Sequence, residues 1–477
     1  MLFTEFRFLI FFAVVFCLYW AMKSNTARKW LLLFASYGFY GAWSWKFLLL
    51  IIASTLVDFF IGIRLGSDTK HKSKWMSVSV CWNLGVLGFF KYFNFFIQSG
   101  HDFLGWLGLS TNIHTLSIIL PVGISFFTFQ SMSYSIDIYR GILKPTKNLL
   151  NFSTFIAFFP QLFAGPIVRA IDFLPQLDGP RHLVKVRGRD MVMMFIIGYI
   201  KKSCVANNLA PFVDEFFAHP EHYSVAGCWT AVMFYAVQIY CDFSGYTDMA
   251  IATAGLLGYE FVPNFNFPYF ATNITVFWRR WHMSLSSWLR DYLYIPLGGN
   301  RGGKWFTYRN LMLTFVLGGL WHGAAWTFVI WGVLHGFALI AHREIQRFLC
   351  WLGFKETPKG EKPSAANRVL MVLGAFLTFY WVCIAWVFFR AATFKAALHT
   401  LNGFVLFRSS GTTSFSIACV LSLLGLIVIH FIAYQKTFKG WWQRIAVWQF
   451  AIVCGVIVAS ALPWTPMRYQ PFIYFQF

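Results

Sequence analysis

The chain has 477 residues, 58% of them hydrophobic and only 12% charged, with 57 Phe and 22 Trp. Soluble domains carry about 25% charged residues, so a water-soluble globular protein is excluded and a bilayer is the solvent that fits. The formal net charge of +21 would suggest nucleic acid in a soluble chain. Here the basic residues sit mostly in short loops between apolar runs. That is the positive-inside pattern, with contact to anionic membrane lipids as its consequence, and no nucleic-acid-binding motif accompanies it.

Apolar runs long enough to cross a membrane, about 17–25 residues, recur from end to end. The first, Phe6 to Trp20, has no basic segment before it, whereas Arg28 and Lys29 follow it. This pattern predicts a retained span with an outside N-terminus, not a cleaved signal. Further spans are expected near 30–43, 46–63, 76–98 and 116–139, with Trp43-Ser44-Trp45 at the tip of a hairpin and a basic loop from Arg64 to Lys74. Leu149 to Val168 is apolar but interrupted by Pro160, Gly165 and Pro166. Such a stretch predicts a re-entrant or kinked element held inside the protein. Spans near 191–217 and 226–258 precede a mixed, Trp- and Arg-rich segment, 259–309, too polar to cross simply. Asn310 to Ala341 then runs without Lys, Arg, Asp or Glu, longer than one span, with Gly318-Gly319 as an expected break. After a basic loop at 343–368 come spans near 369–389, 414–434 and 445–462. The expectation is an all-α polytopic membrane protein of about ten or eleven transmembrane helices plus re-entrant or interfacial helices. It forms one membrane domain over 1–477: N-terminal helices 1–115, a motif-bearing core of about 116–342, and C-terminal helices 369–463. The nine cysteines are scattered without metal-site or CxxC spacing and read as small hydrophobes.

Ionisable residues at membrane depth are costly and usually line a cavity or a reaction path; here they cluster between 240 and 336. Asp242 and Asp248 lie six positions apart in YCDFSGYTD, so on a continuous helix they do not share a face. Either Gly245 breaks the helix and brings them together, or each aspartate caps a helix or pairs with an arginine. In FWRRWHMSLSSWLRDYLY, helical geometry puts Arg279, His282, Ser286 and Arg290 on one stripe opposite Trp278, Trp281, Leu285, Trp288 and Tyr292. This element reads as an interfacial helix anchored by Trp and Arg, or as one whose arginines bind an anion such as a phosphorylated acyl donor. The following PLGGNRGG lacks the Lys-Ser/Thr pair of a phosphate-binding loop and reads as a connection. In LGGLWHGAAW, His322 is flanked by small residues that admit a ligand or a second helix closely. A histidine so placed is either a buried structural residue or a general base. His335 lies thirteen residues on, about 220° around a helix, and reads as structural. No serine triad, nucleotide loop or metal-ligand set is evident, so no metal is expected.

Five stretches carry a resemblance that covers nearly the whole chain: LPVGISFFTFQSMSYSIDIYRG (120–141), FFPQLFAGPIVR (158–169), YCDFSGYTDMAI (240–251), FWRRWHMSLSSWLRDYLYIPLGGNRGG (277–303) and LGGLWHGAAWTFVIWGVLHG (317–336). ASYGFYGAW (35–43) fits as well. With them the sequence resembles the membrane-bound O-acyltransferase (MBOAT) superfamily, and within it the bacterial alginate O-acetylation, AlgI-like, subfamily. The resemblance implies a ring of helices around a tunnel. It makes His322 the catalytic histidine and His282 the second characteristic one. It further implies acetyl transfer from a cytosolic donor, acetyl-CoA, with no bound cofactor. The acceptor is an exported polysaccharide, and an extracytoplasmic SGNH or serine-esterase-like partner completes the transfer at the bacterial cytoplasmic (inner) membrane. From the residues themselves, Arg279, Arg280, Arg290 and Arg301 are expected to hold donor phosphates. Asp242, Asp248, Ser286, Asp291, Trp321 and His335 are expected as tunnel or structural groups. D-alanyl or other acyl transfer, and a transporter or flippase, are the alternatives.

Overall fold

The structure, a computed structural model, describes residues 3–68, 70–109, 115–163, 165–353, 364–435, 440–466 and 472–473. Among these the regular structure is helical, and the only β pairing is an isolated bridge between Tyr223 and Thr413. Six helical stretches are long and apolar enough to cross a membrane: Trp45–Ser67, Lys72–Trp106, Trp326–Trp351, Ala365–Arg390, Ile417–Tyr434 and Val447–Trp464. Phe6–Ala21 is a shorter apolar helix. The chain is a multi-pass, all-helical membrane protein, and it groups into two compact units. One comprises 1–199 with 246–262; the other comprises 200–245 with 263–477.

In the first unit the expected hairpin forms. Asn25–Gly41 and Trp45–Ser67 are separated by three residues, and the Ser44 side chain accepts from the Phe47 amide to cap the second helix. The span expected from 116 starts only at Ile124, because Gly123 takes a left-handed backbone (φ 78°) and leaves the residues before it irregular. The proline-interrupted stretch forms Leu149–Ala157 and the four-residue Phe159–Leu162. From Asn151 onward both are buried, as a broken element at membrane depth requires, although Ala164 lies outside the described residues. Lys29 is buried there too, its Nζ donating to Asn151 Oδ1 at 2.7 Å.

Three further expectations are corrected. Val225–Leu256 is one helix through Gly245, so no break draws the two aspartates together. The run Asn310 to Ala341 does divide, but after His322 and not at Gly318-Gly319: the helices are Lys304–His322 and Trp326–Trp351. The glycines serve packing instead. A Cβ on Gly319 would collide with the Phe328 carbonyl, and one on Gly332 with the Phe315 carbonyl. The two helices therefore pack backbone to backbone, as small residues permit. Finally, the basic loop is shorter than its charges suggest, because Trp326–Trp351 continues through Arg343 to Arg347. There Glu344 accepts from Lys304 (2.7 Å), Arg347 (2.5 Å) and Tyr308, tying the outer ends of the helix pair. The centre of that loop, 354–363, lies outside the described residues.

Candidate active site

His322 ends its helix because Gly323 turns the backbone extended (φ −156°, ψ 149°) and the next helix starts only at Trp326. Its ring is almost fully buried. Trp321 and Trp331 meet it edge-on at 5.0 and 4.9 Å, and Phe389 of Ala365–Arg390 at 5.2 Å. The ring of His282 lies 6.3 Å away, centroid to centroid. The two histidines, forty positions apart in sequence, therefore share one aromatic wall.

His282 reaches that wall by an unexpected route. The stretch 277–294 is not one helix. Ile274–Trp278 ends, the backbone turns through 279–282, and Met283–Leu289 begins anew before widening into a π-helical turn, Arg290–Tyr294. His282 is the pivot, with a left-handed backbone (φ 42°, ψ 55°). That conformation costs a non-glycine residue roughly 1–2 kcal/mol and persists only where surroundings enforce it. Asn264 does the enforcing. Its main-chain oxygen accepts from the Met283 amide (2.9 Å) and its side-chain Oδ1 from the Ser284 amide (3.1 Å). These are amides a helix start leaves without intrahelical partners. Oδ1 also receives Ser284 Oγ (3.0 Å) and faces His282 Nδ1 at 3.2 Å. Phe243 packs edge-on against the His282 ring at 4.7 Å. The ring is wholly buried among aromatic side chains, where loss of solvation opposes a charged imidazolium.

A cavity of about 420 Å³ opens beside His322. Trp278, Phe315, Trp331 and Leu289 supply apolar wall; Ser286, Ser287, Thr314, Arg279 and Arg290 supply polar groups. Of the four arginines expected at the donor, the cavity thus holds Arg279 and Arg290. Arg280 instead turns its Nη1 toward the Phe270 carbonyl (3.4 Å), and Arg301 is exposed in the glycine-rich turn; neither lines the cavity. Arg290 also grips Asp291, Nε to Oδ1 at 2.6 Å and Nη2 to Oδ2 at 3.1 Å. Ser286 donates to the Trp281 carbonyl at 3.1 Å from the cavity wall. The single amphipathic stripe read from the sequence is therefore corrected. Arg279, Ser286 and Arg290 do converge, but so do Trp278 and Leu285 from the face taken as opposite, and His282 lies outside the cavity lining.

The remaining polar residues divide. Trp321 is part of the wall, 6.0 Å from His282. His335 is fully buried between Trp331 (4.7 Å) and Trp278 (4.9 Å) and does not line the cavity. Asp242 pairs with a lysine, Lys202 of the Ile200–Ala206 π-helix, and not with an arginine; its Oδ2 also accepts from the Ile473 amide at 3.0 Å. Asp248 lies six residues further along the same helix. Among the described residues no group of three or more His, Cys, Asp or Glu is arranged to hold a metal. The sequence reading missed Asn264 and Lys202. Lys202 had a signal, a lysine inside an apolar run; Asn264 sits in the irregular PNFNFP and had none.

Two histidines in an aromatic wall, one of them lining a cavity that also bears guanidinium and hydroxyl groups, give this membrane protein the form of an enzyme. The model of the membrane-bound O-acyltransferase family matches residues 142–382. The chain is 36% identical to a probable alginate O-acetylase, AlgI, of Azotobacter vinelandii over the full length of both. It is 43% identical to the probable AlgI of Pseudomonas aeruginosa over 83% of this chain and 73% of that one. With the peptidoglycan O-acetyltransferase of Helicobacter pylori it shares 38% identity over 79% of this chain and 73% of that one. The chain belongs to the membrane-bound O-acyltransferase family, and its class of enzyme is the O-acetyltransferase.

Proposed function

We propose that this protein moves an acetyl group from a cytosolic donor, acetyl-CoA, across the bacterial cytoplasmic membrane for O-acetylation of an exported polysaccharide, alginate or a related surface glycan. The observation that carries the reading is His322 on the wall of a cavity that Arg279 and Arg290 also line. A hydroxyl is a poor nucleophile, so a base at the reacting oxygen is the chief requirement. His322 takes the proton as the oxygen attacks the thioester carbonyl. The tetrahedral intermediate then collapses, the C–S bond breaks, and the proton returns to the departing thiolate. Arg279 and Arg290 hold the donor's phosphates by charge-assisted hydrogen bonds. The names of the relatives, acting on alginate and on peptidoglycan, support an acetylated glycan as the acceptor. An extracytoplasmic partner of the serine-esterase kind carries the acetyl group on to the polymer.

The test is the acetyl content of each surface polymer in cells carrying the wild-type chain or His322→Ala, at equal amounts of membrane-inserted protein. General-base catalysis contributes about 10²–10⁴-fold, so acetylation should fall to background. Acetylation near the wild-type level would remove His322 from the chemistry. Purified protein that consumes no acetyl-CoA in the presence of a hydroxyl acceptor would remove the donor.

A further inference from the structure

We infer that Asn264 is a positioning residue that locks His282 in the Nδ1–H tautomer, so that His282 enters acyl transfer as a hydrogen-bond acceptor through Nε2 and not as a donor to the oxyanion. This rests on the reading that the two histidines form the reactive centre. The tautomer follows from donors that have no choice. A backbone N–H can only donate, and the Ser284 amide lies 3.1 Å from one side-chain atom of Asn264; that atom is therefore the carbonyl oxygen and the amide group cannot be flipped. The Ser284 hydroxyl donates to the same oxygen at 3.0 Å. His282 Nδ1 lies 3.2 Å from it. An amide oxygen carries no proton, so Nδ1 does. A neutral imidazole has one N–H, which leaves Nε2 a lone pair.

The surroundings agree. His282 is wholly buried and Asn264 is 1% exposed. Nε2 and Asn264 Nδ2 have no hydrogen-bond partner among the described residues. A buried polar atom left so is costly unless something else meets it, and at His282 the left-handed backbone is a second cost. Strain of this kind concentrates at functional sites. A second proton on Nε2 would place a cation between Phe243 and Trp321, which burial opposes. A lone pair repels a developing oxyanion, so oxyanion stabilisation falls to other groups. What Nε2 can do is accept a hydrogen bond: it can orient a hydroxyl beside His322.

The test uses the full chain, its histidines labelled with ¹⁵N, in vesicles of phosphatidylethanolamine and phosphatidylglycerol. Solid-state NMR, with His282 identified by difference from His282→Gln, should find Nδ1 protonated and Nε2 bare; a protonated Nε2 overturns the inference. Asn264→Leu removes the acceptor at similar volume. It should lose the fixed tautomer and lower acetyl transfer from acetyl-CoA by about 10²-fold or more. Asn264→Asp keeps an oxygen for Ser284 and Nδ1 and should retain both the tautomer and most of the transfer. Wild-type turnover in Asn264→Leu, or equal loss in both variants at equal membrane levels, also overturns it. If His322→Ala keeps wild-type transfer, the reactive centre lies elsewhere, while the NMR result on His282 stands by itself.

Discussion

At the scale of single residues, the four arginines of 279–301 separate by place. Arg279 and Arg290 face the cavity, and Arg280 and Arg301 do not. A charge-assisted hydrogen bond contributes about 1.5–3 kcal/mol, roughly tenfold to a hundredfold in binding. Arg279→Gln and Arg290→Gln should therefore raise KM for acetyl-CoA by about tenfold with little change in kcat. The Arg290 effect should be the smaller, because Asp291 already holds part of that guanidinium. Arg280→Gln and Arg301→Gln should leave KM within about twofold, the range of a group making no donor contact. Steady-state kinetics on the four variants decides this, and a uniform effect on all four would point to general charge instead of a site.

At the scale of elements, the helix pair that presents His322 depends on glycine contact. Gly319→Val and Gly332→Val force side chain into a neighbour's carbonyl, and overpacking costs about 1–3 kcal/mol. Both should lower Tm in detergent and reduce transfer, since Gly319 is one helical turn from His322. Gly38→Ala, in a helix where nothing meets the new carbon, should leave Tm unchanged or raise it, by up to about 1 kcal/mol of helix propensity. Thermal unfolding followed by tryptophan fluorescence separates the cases. The helices themselves were largely legible in the sequence. The Ala365–Arg390, Ile417–Tyr434 and Val225–Leu256 helices fall where the apolar runs end, because in a bilayer the backbone must satisfy itself and apolarity alone marks the span. His322 was legible for the same reason, as an ionisable residue within such a run. The 277–294 element was not. Its hydrophobic period fits one helix, but a distant residue, Asn264, caps a restart at Met283, and a contact nineteen positions away leaves no trace in local periodicity.

At the scale of the whole molecule, the buried pair Lys202–Asp242 joins distant parts of the chain, because Asp242 also accepts from Ile473 and its neighbour Phe243 packs on Phe472 at 5.6 Å and on His282. Removing one partner of a buried ion pair costs about 3–5 kcal/mol. Lys202→Met should therefore lower Tm sharply and deplete the protein from membranes. Deleting the chain from Phe472 onward should have a milder effect in the same direction, reported by Tm and by transfer per molecule. Equal stability of Lys202→Met and wild type would mean that Asp242 is held without the lysine. The restart at His282 bears, finally, on how this enzyme can be recombined with its relatives. The histidine motif is not a portable word of sequence, since its backbone is held open by an asparagine upstream of it. A chimera that exchanges 277–294 alone would inherit the histidine without its clamp. An exchange meant to carry the clamp with the histidine must take in Asn264 as well.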